Sequence, residues 1–140
     1  MFALKSLLPL SLLFAPLISA ATVNCGDIST GRGILVSEVE TLKATINSGQ
    51  ISPAVLPSLA SGTSPTFRVG DNVANLQICI INRNVFQGTT VFPDEMIEFL
   101  DLNLACLDTA VGADGTMTGD TGATVSAELQ RANERCGNAG

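Results

Sequence analysis

Residues 66–82 read TFRVGDNVANLQICIIN and constrain the fold more than any other stretch of the chain. Phe67 and Val69 lead into Gly70-Asp71-Asn72, a turn signal, and residues 73–81 lead out again. In the second arm Leu76, Ile78 and Ile80 alternate with Gln77, Cys79 and Ile81. A strand that is apolar on both faces must be covered on both, by packed elements or by a disulfide. The stretch is therefore read as a β-hairpin whose second arm is the core strand and carries Cys79.

Residues 1–20 have the pattern of a secretory leader. Lys5 is their only charge, residues 7–18 form an apolar run, and Ile18-Ser19-Ala20 offers a small-residue cleavage site. Pro9 and Pro16 interrupt the run, which argues against a membrane span. The sequence thus predicts a signal peptide over 1–20 and a single secreted, extracellular domain over 21–140. No later segment reaches the roughly 18 apolar residues of a span, so stable membrane insertion is not expected. The whole chain carries 7 basic and 13 acidic residues, a net charge of −6, and loss of Lys5 makes the remainder more negative still. Such a chain has no electrostatic footprint for nucleic acid or for an anionic membrane.

Cys25, Cys79, Cys106 and Cys136 all follow the leader and lie far apart. An even set of dispersed cysteines in a secreted chain predicts two disulfides. A zinc site would show close Cys pairs or histidine, and the chain has no histidine. Four cysteines allow three pairings, and their spacing alone does not choose among them.

The remaining elements follow from periodicity. Residues 22–25 form a short first strand, and residues 26–33 a loop. Leu35, Val39, Leu42 and Ile46 recur on one face of a helix over 34–48, with Gly49 as its C′ residue. Residues 50–65 hold three prolines and read as a surface loop. After the hairpin, residues 82–90 turn the chain around Gly88. Pro93-Asp94-Glu95 opens a second helix, whose apolar face is Ile97, Leu100, Leu104 and Leu107, widened by Met96 and Phe99. It ends near 106–108. Residues 112–122 are turn-rich, Val125, Ala127 and Leu129 mark a last strand, and residues 137–140 are a tail. The expected fold is α+β: an antiparallel sheet with two helices on one face, an α/β sandwich of order β-α-β-β-α-β with two disulfides.

Catalytic chemistry is poorly represented. Asp94, Glu95, Glu98 and Asp101 cluster on the second helix, and a solvated acidic face explains them. Lys43, the one lysine after the leader, lies on the outer face of the first helix, away from any Ser-Lys pairing. Asp114, Thr116, Thr118 and Gly119 fall at positions one, three, five and six of a calcium-loop pattern, but Val125 stands at position twelve, so a hairpin loop is the better reading. Phe67, Phe86, Phe92 and Phe99 are assigned to the core, leaving no stacking platform for sugars or single-stranded nucleic acid. No catalytic residue, metal or cofactor is expected.

Several stretches, taken in order, resemble the killer protein four family, the virally encoded fungal killer toxin and its cellular relatives. Val23-Asn24-Cys25-Gly26 is similar to that family's strand ending in Asn-Cys-x-Gly. Phe67-x-x-Gly70-Asp71-x-Val73-Ala74 and Ile78-Cys79-Ile80-Ile81-Asn82 resemble its Gly-Asp segment and its cysteine-bearing strand. Gly88, the helix ending Leu104-Ala105-Cys106, and the lone Cys136 are similar to the remainder. The resemblance implies a secreted, non-enzymatic toxin or effector that acts on other cells by interfering with calcium uptake. Its partner would be a target-cell surface protein or channel, and the protein itself a monomer. Where the toxin carries a lysine near the core hairpin, this chain offers Arg68, which becomes the candidate target contact. The expected pairing is Cys25–Cys106 and Cys79–Cys136. The first ties a helix end to the first strand and the second ties the last strand to the core strand; the resemblance points the same way. A secreted structural or adhesive protein and, less favoured for want of histidine, a small hydrolase are the alternatives.

Overall fold

The computed structural model describes residues 21–24, 34–62, 64, 66–71, 73–106 and 114–136. The expected leader, the loop over 26–33, Cys25, Leu107 and the tail over 137–140 lie outside them. In chain order the elements are β1 (Thr22–Asn24), α1 (Val36–Asn47), β2 (Ala54–Leu56), a 3-10 turn (Leu59–Ser61), β3 (Thr66–Asp71), β4 (Leu76–Ile81), β5 (Thr89–Val91), α2 (Pro93–Cys106), β6 (Asp114–Thr118) and β7 (Thr124–Arg131). The protein is α+β. A five-stranded antiparallel sheet runs β1-β6-β7-β4-β3, and β2 and β5 form a second, two-stranded antiparallel sheet.

Strand residues two apart share a face, so the register sorts the large sheet. Val69 on β3, Leu76, Ile78 and Ile80 on β4, Ala127 and Leu129 on β7 and Met117 on β6 point to the helices, and all are buried. α1 packs over β3 and β4, and α2 over β1 and β6. Two polar ties fix α1 to this face. Thr45 donates to the Asp71 carboxylate, and Glu38 meets Arg131 at 2.6 Å. The Thr45 hydroxyl, with the Val73 N–H at 2.7 Å, holds the Asp71 carboxyl below its ordinary pKa against the opposing effect of burial.

α1 buries Val39, Leu42 and Ile46, as its periodicity predicts, and ends at Ser48 with Gly49 in the left-handed region (φ 78°). Its start differs. Leu35 is the N-cap residue and is exposed, and its N–H donates to Glu38 Oε2 at 2.8 Å. α2 spans the expected residues, but its inward stripe is Met96, Phe99, Leu100, Asn103 and Cys106, with Ile97 and Leu104 half-buried at the flanks. The stripe tolerates Asn103 because its Nδ2 donates to the Phe99 carbonyl at 2.7 Å, so no amide donor is stranded in the core.

Three strands depart from the expected order. β2 sits between Pro53 and Pro57, so the prolines bound it and do not interrupt it. β5 is as short. β6 replaces the loop expected over 112–122: Met117 is its inward residue, between outward Thr116 and Thr118. Gly115 lets β6 lie against β1, because a Cβ there would land on the Thr22 carbonyl and 3.0 Å from Val23 Cα.

The turn over 119–123 joins the two sheets. Thr90 N–H donates to Asp120 Oδ1 at 2.8 Å and Asp120 N–H donates to the Thr90 carbonyl at 2.9 Å. Thr121 Oγ1 meets Thr89 Oγ1 at 2.9 Å, and a Cβ on Gly119 would overlap the Thr89 side chain.

Candidate functional site

The face of the large sheet away from the helices is polar, and the last described residues cross it. Cys79 and Cys136 are disulfide-bonded, with Cα atoms 5.5 Å apart. Around that bridge the sheet grips the chain end. Arg68 donates from Nε to Cys136 Sγ at 3.2 Å and from Nη2 to the Glu134 carbonyl at 2.7 Å. Gln77 Nε2 reaches the same carbonyl at 2.8 Å. Gln77 and Gln130 are buried because the segment over 132–136 lies across this face. Arg68, the sequence's candidate target contact, is exposed, but two of its nitrogens hold the C-terminal segment to the sheet. Cys106 carries no free thiol, and its expected partner Cys25 lies outside the described residues.

Beside the bridge is a concavity of about 330 Å³ lined by Cys79, Ile81, Arg83, Asp114, Ser126 and Glu128 together with the Gly115–Ala127 backbone. Register explains the grouping: Glu128 stands opposite Cys79 on one side and Asp114 on the other. A guanidinium and two carboxylates make a charged hollow suited to a small polar group. A nucleophile there would have no imidazole to activate it, since the chain lacks histidine.

The other sequence candidates resolve individually. Asp114, Thr116 and Thr118 stand on an extended strand, about 6.5 Å between alternate residues, so they cannot converge on one calcium ion. No group of three potential metal-ligating acids or cysteines occurs among the described residues. On α2, Asp101 forms an ion pair with Lys43 at 2.5 Å, which links α2 to α1 and raises the lysine pKa. Glu95 has its carboxyl pKa raised by burial and then by Glu98 and Asp94.

The surface that sequence reasoning missed is apolar. Phe86 and Phe92, assigned to the core, are exposed, Phe86 to 91%. With Val55, Leu59 and Val85 they place five of the eight exposed large hydrophobic side chains among the described residues on the β2–β5 sheet and its flanking loops. The loop over 82–88 is rigidly built. Asn82 is fully buried, and its Nδ2 donates to Pro57 and Gln87 carbonyls at 3.1 and 2.8 Å. Its Oδ1 accepts from Asn84 N–H, and Asn84 Oδ1 in turn accepts from Phe86 and Gln87 N–H, each at 3.0 Å. Leu59 and Ala60 N–H groups donate to the Asn84 and Val85 carbonyls. The two asparagines flanking Arg83, ahead of Gln87-Gly88, were the available signal: Asx turns lift the residue between them and the glycine outward. No protein-family model matches this sequence, and no curated protein matches it.

Proposed function

We propose that this is a secreted, non-enzymatic, killer-toxin-like effector or antifungal protein that acts on other cells by binding a component of their surface, with interference in calcium uptake as its effect. The observation that carries the reading is Phe86, held 91% exposed on a loop braced by Asn82 and Asn84. Several large apolar side chains held exposed on one small sheet and its ordered loop mark a place of contact. The sheet with two helices on one face supports the reading further, because it is the architecture that the resemblance implies. The test is a growth assay of fungal cells with the oxidised protein, with and without added calcium. Growth inhibition that added calcium relieves is expected; equal growth at every dose refutes the proposal.

A further inference from the structure

We propose that the Phe86 surface is a lipid-contacting surface, which seats reversibly in the interface of a membrane of neutral headgroups. The inference rests on the proposed action at a cell surface and names what this part of the molecule touches there.

Residues 51–62 and 84–92, which carry Val55, Leu59, Val85, Phe86 and Phe92, contain no charged residue, in a chain with 7 basic and 13 acidic ones. The nearest charges along the sequence are Arg83 before the loop and Asp94 after Phe92. Within these segments the polar residues beside the apolar side chains are uncharged and hydrogen-bonding, Ser58, Asn84, Gln87 and Thr90, and the Asp120 carboxylate borders them where it accepts from the Thr90 N–H at 2.8 Å. An aromatic tip carried on segments that have polar but no charged side chains suits the interface between headgroups and acyl chains. The net charge of −6 disfavours an anionic surface, so the complementary membrane is a neutral one.

The loop is ordered before contact. Its backbone donors at Phe86 and Gln87 are already satisfied by Asn84, and Asn82 pins its base. Insertion therefore costs little ordering entropy. A projecting phenylalanine needs a socket in a protein partner, whereas a fluid surface yields around it. Nothing in this requires a span, and no described helix is long and apolar enough to be one.

The test is flotation of the oxidised, secreted protein with phosphatidylcholine vesicles, and with vesicles containing added phosphatidylserine. Binding to the neutral vesicles, weaker on the anionic ones and little changed by salt, is expected. Phe86→Ser weakens it roughly tenfold to a hundredfold, with no change in melting temperature because the ring is exposed. Val73→Ser, at an equally exposed apolar residue on the β3–β4 turn, leaves it unchanged. Since the chain has no Trp or Tyr, Phe86→Trp supplies a single reporter whose emission shifts to the blue on neutral vesicles. Absent flotation, a preference for anionic vesicles, or undiminished binding of Phe86→Ser overturns the inference, as does a dimer in sedimentation that Phe86→Ser abolishes. Growth inhibition without flotation sinks this inference and spares the proposed function; flotation without inhibition does the reverse.

Discussion

Removing the Cys79–Cys136 bridge tests how the C-terminal segment is held. The bridge closes a loop with a sequence separation of 57 residues. In the chain-entropy treatment a closure of that length restricts the unfolded chain by about 4 kcal/mol. Against the roughly 5–15 kcal/mol of an ordinary domain this is a large share. The double variant Cys79→Ala, Cys136→Ala avoids leaving an odd thiol. It keeps the backbone acceptor at Glu134, so Arg68 and Gln77 retain their bonds to that carbonyl. With a urea slope of about 2 kcal/mol/M, the unfolding midpoint should fall by about 2 M. In the bridged protein Arg68→Ala should cost about 1 kcal/mol, because the disulfide keeps the segment in place. In the bridge-free protein the same change should release the segment altogether, and the amides over 132–136 lose their protection from hydrogen exchange. A midpoint that moves by less than about 0.5 M would refute the entropic account. Equal Arg68→Ala costs in the two backgrounds would refute the shared grip.

Two further changes probe the sheet and its tie to α1. Gly115→Ala forces β1 off β6, since the new methyl meets the Thr22 carbonyl and Val23 Cα; a loss of about 2–3 kcal/mol is expected in urea unfolding, with exchange protection lost at β1 first. Arg131, bonded to Glu38, holds that carboxyl below its ordinary 4.5, with the Leu35 N–H assisting against desolvation. A depressed folded-state pKa contributes stability above the unfolded value and loses it as pH falls through the folded one. Glu38→Gln should therefore lower the melting temperature at neutral pH and leave it unchanged in strong acid, whereas an equal loss at both would show that the charge is not the cause.

Where burial follows a repeating pattern, the sequence was readable. Val39, Leu42 and Ile46 on α1, the pairing of β3 with β4 and the alternation of β7 all stand as expected, because each side chain's place depends on its own neighbours in sequence; the turn read at Gly70-Asp71-Asn72 falls later, since Gly70 and Asp71 pair with Gln77 and Leu76 and residues 73–75 make the turn. β6 was hidden because its inward surface amounts to Met117 alone, flanked by glycines that composition assigns to turns. Those glycines answer to partners elsewhere, Thr22 and Thr89, which no local pattern reveals. β2 and β5 were too short for alternation to register. Of the candidate site the sequence singled out Arg68, Cys79 and Cys136: the Cys79–Cys136 pair stands as expected, while Arg68, taken for a target contact, holds the chain's own segment over 132–136. Phe86 was misplaced because hydrophobicity predicts burial, while the bonds from Asn82 and Asn84 decide which way the loop faces.

The register of β4 on β7 also bears on how the chain checks its own assembly. Cys79 stands opposite Glu128, on the sheet face that the segment ending in Cys136 crosses. A slip of one residue along β4 would turn Cys79 toward the helices and carry Ile78 or Ile80 to the outer face. The two sulfurs would then sit on opposite sides of the sheet, beyond bonding distance. Oxidation therefore records correct alignment. A chain paired out of step retains two free, oxidisable thiols and stays open to thiol exchange, while a chain paired in step is sealed. In an oxidising secretory compartment, the chemistry that locks the molecule would also sort aligned copies from misaligned ones.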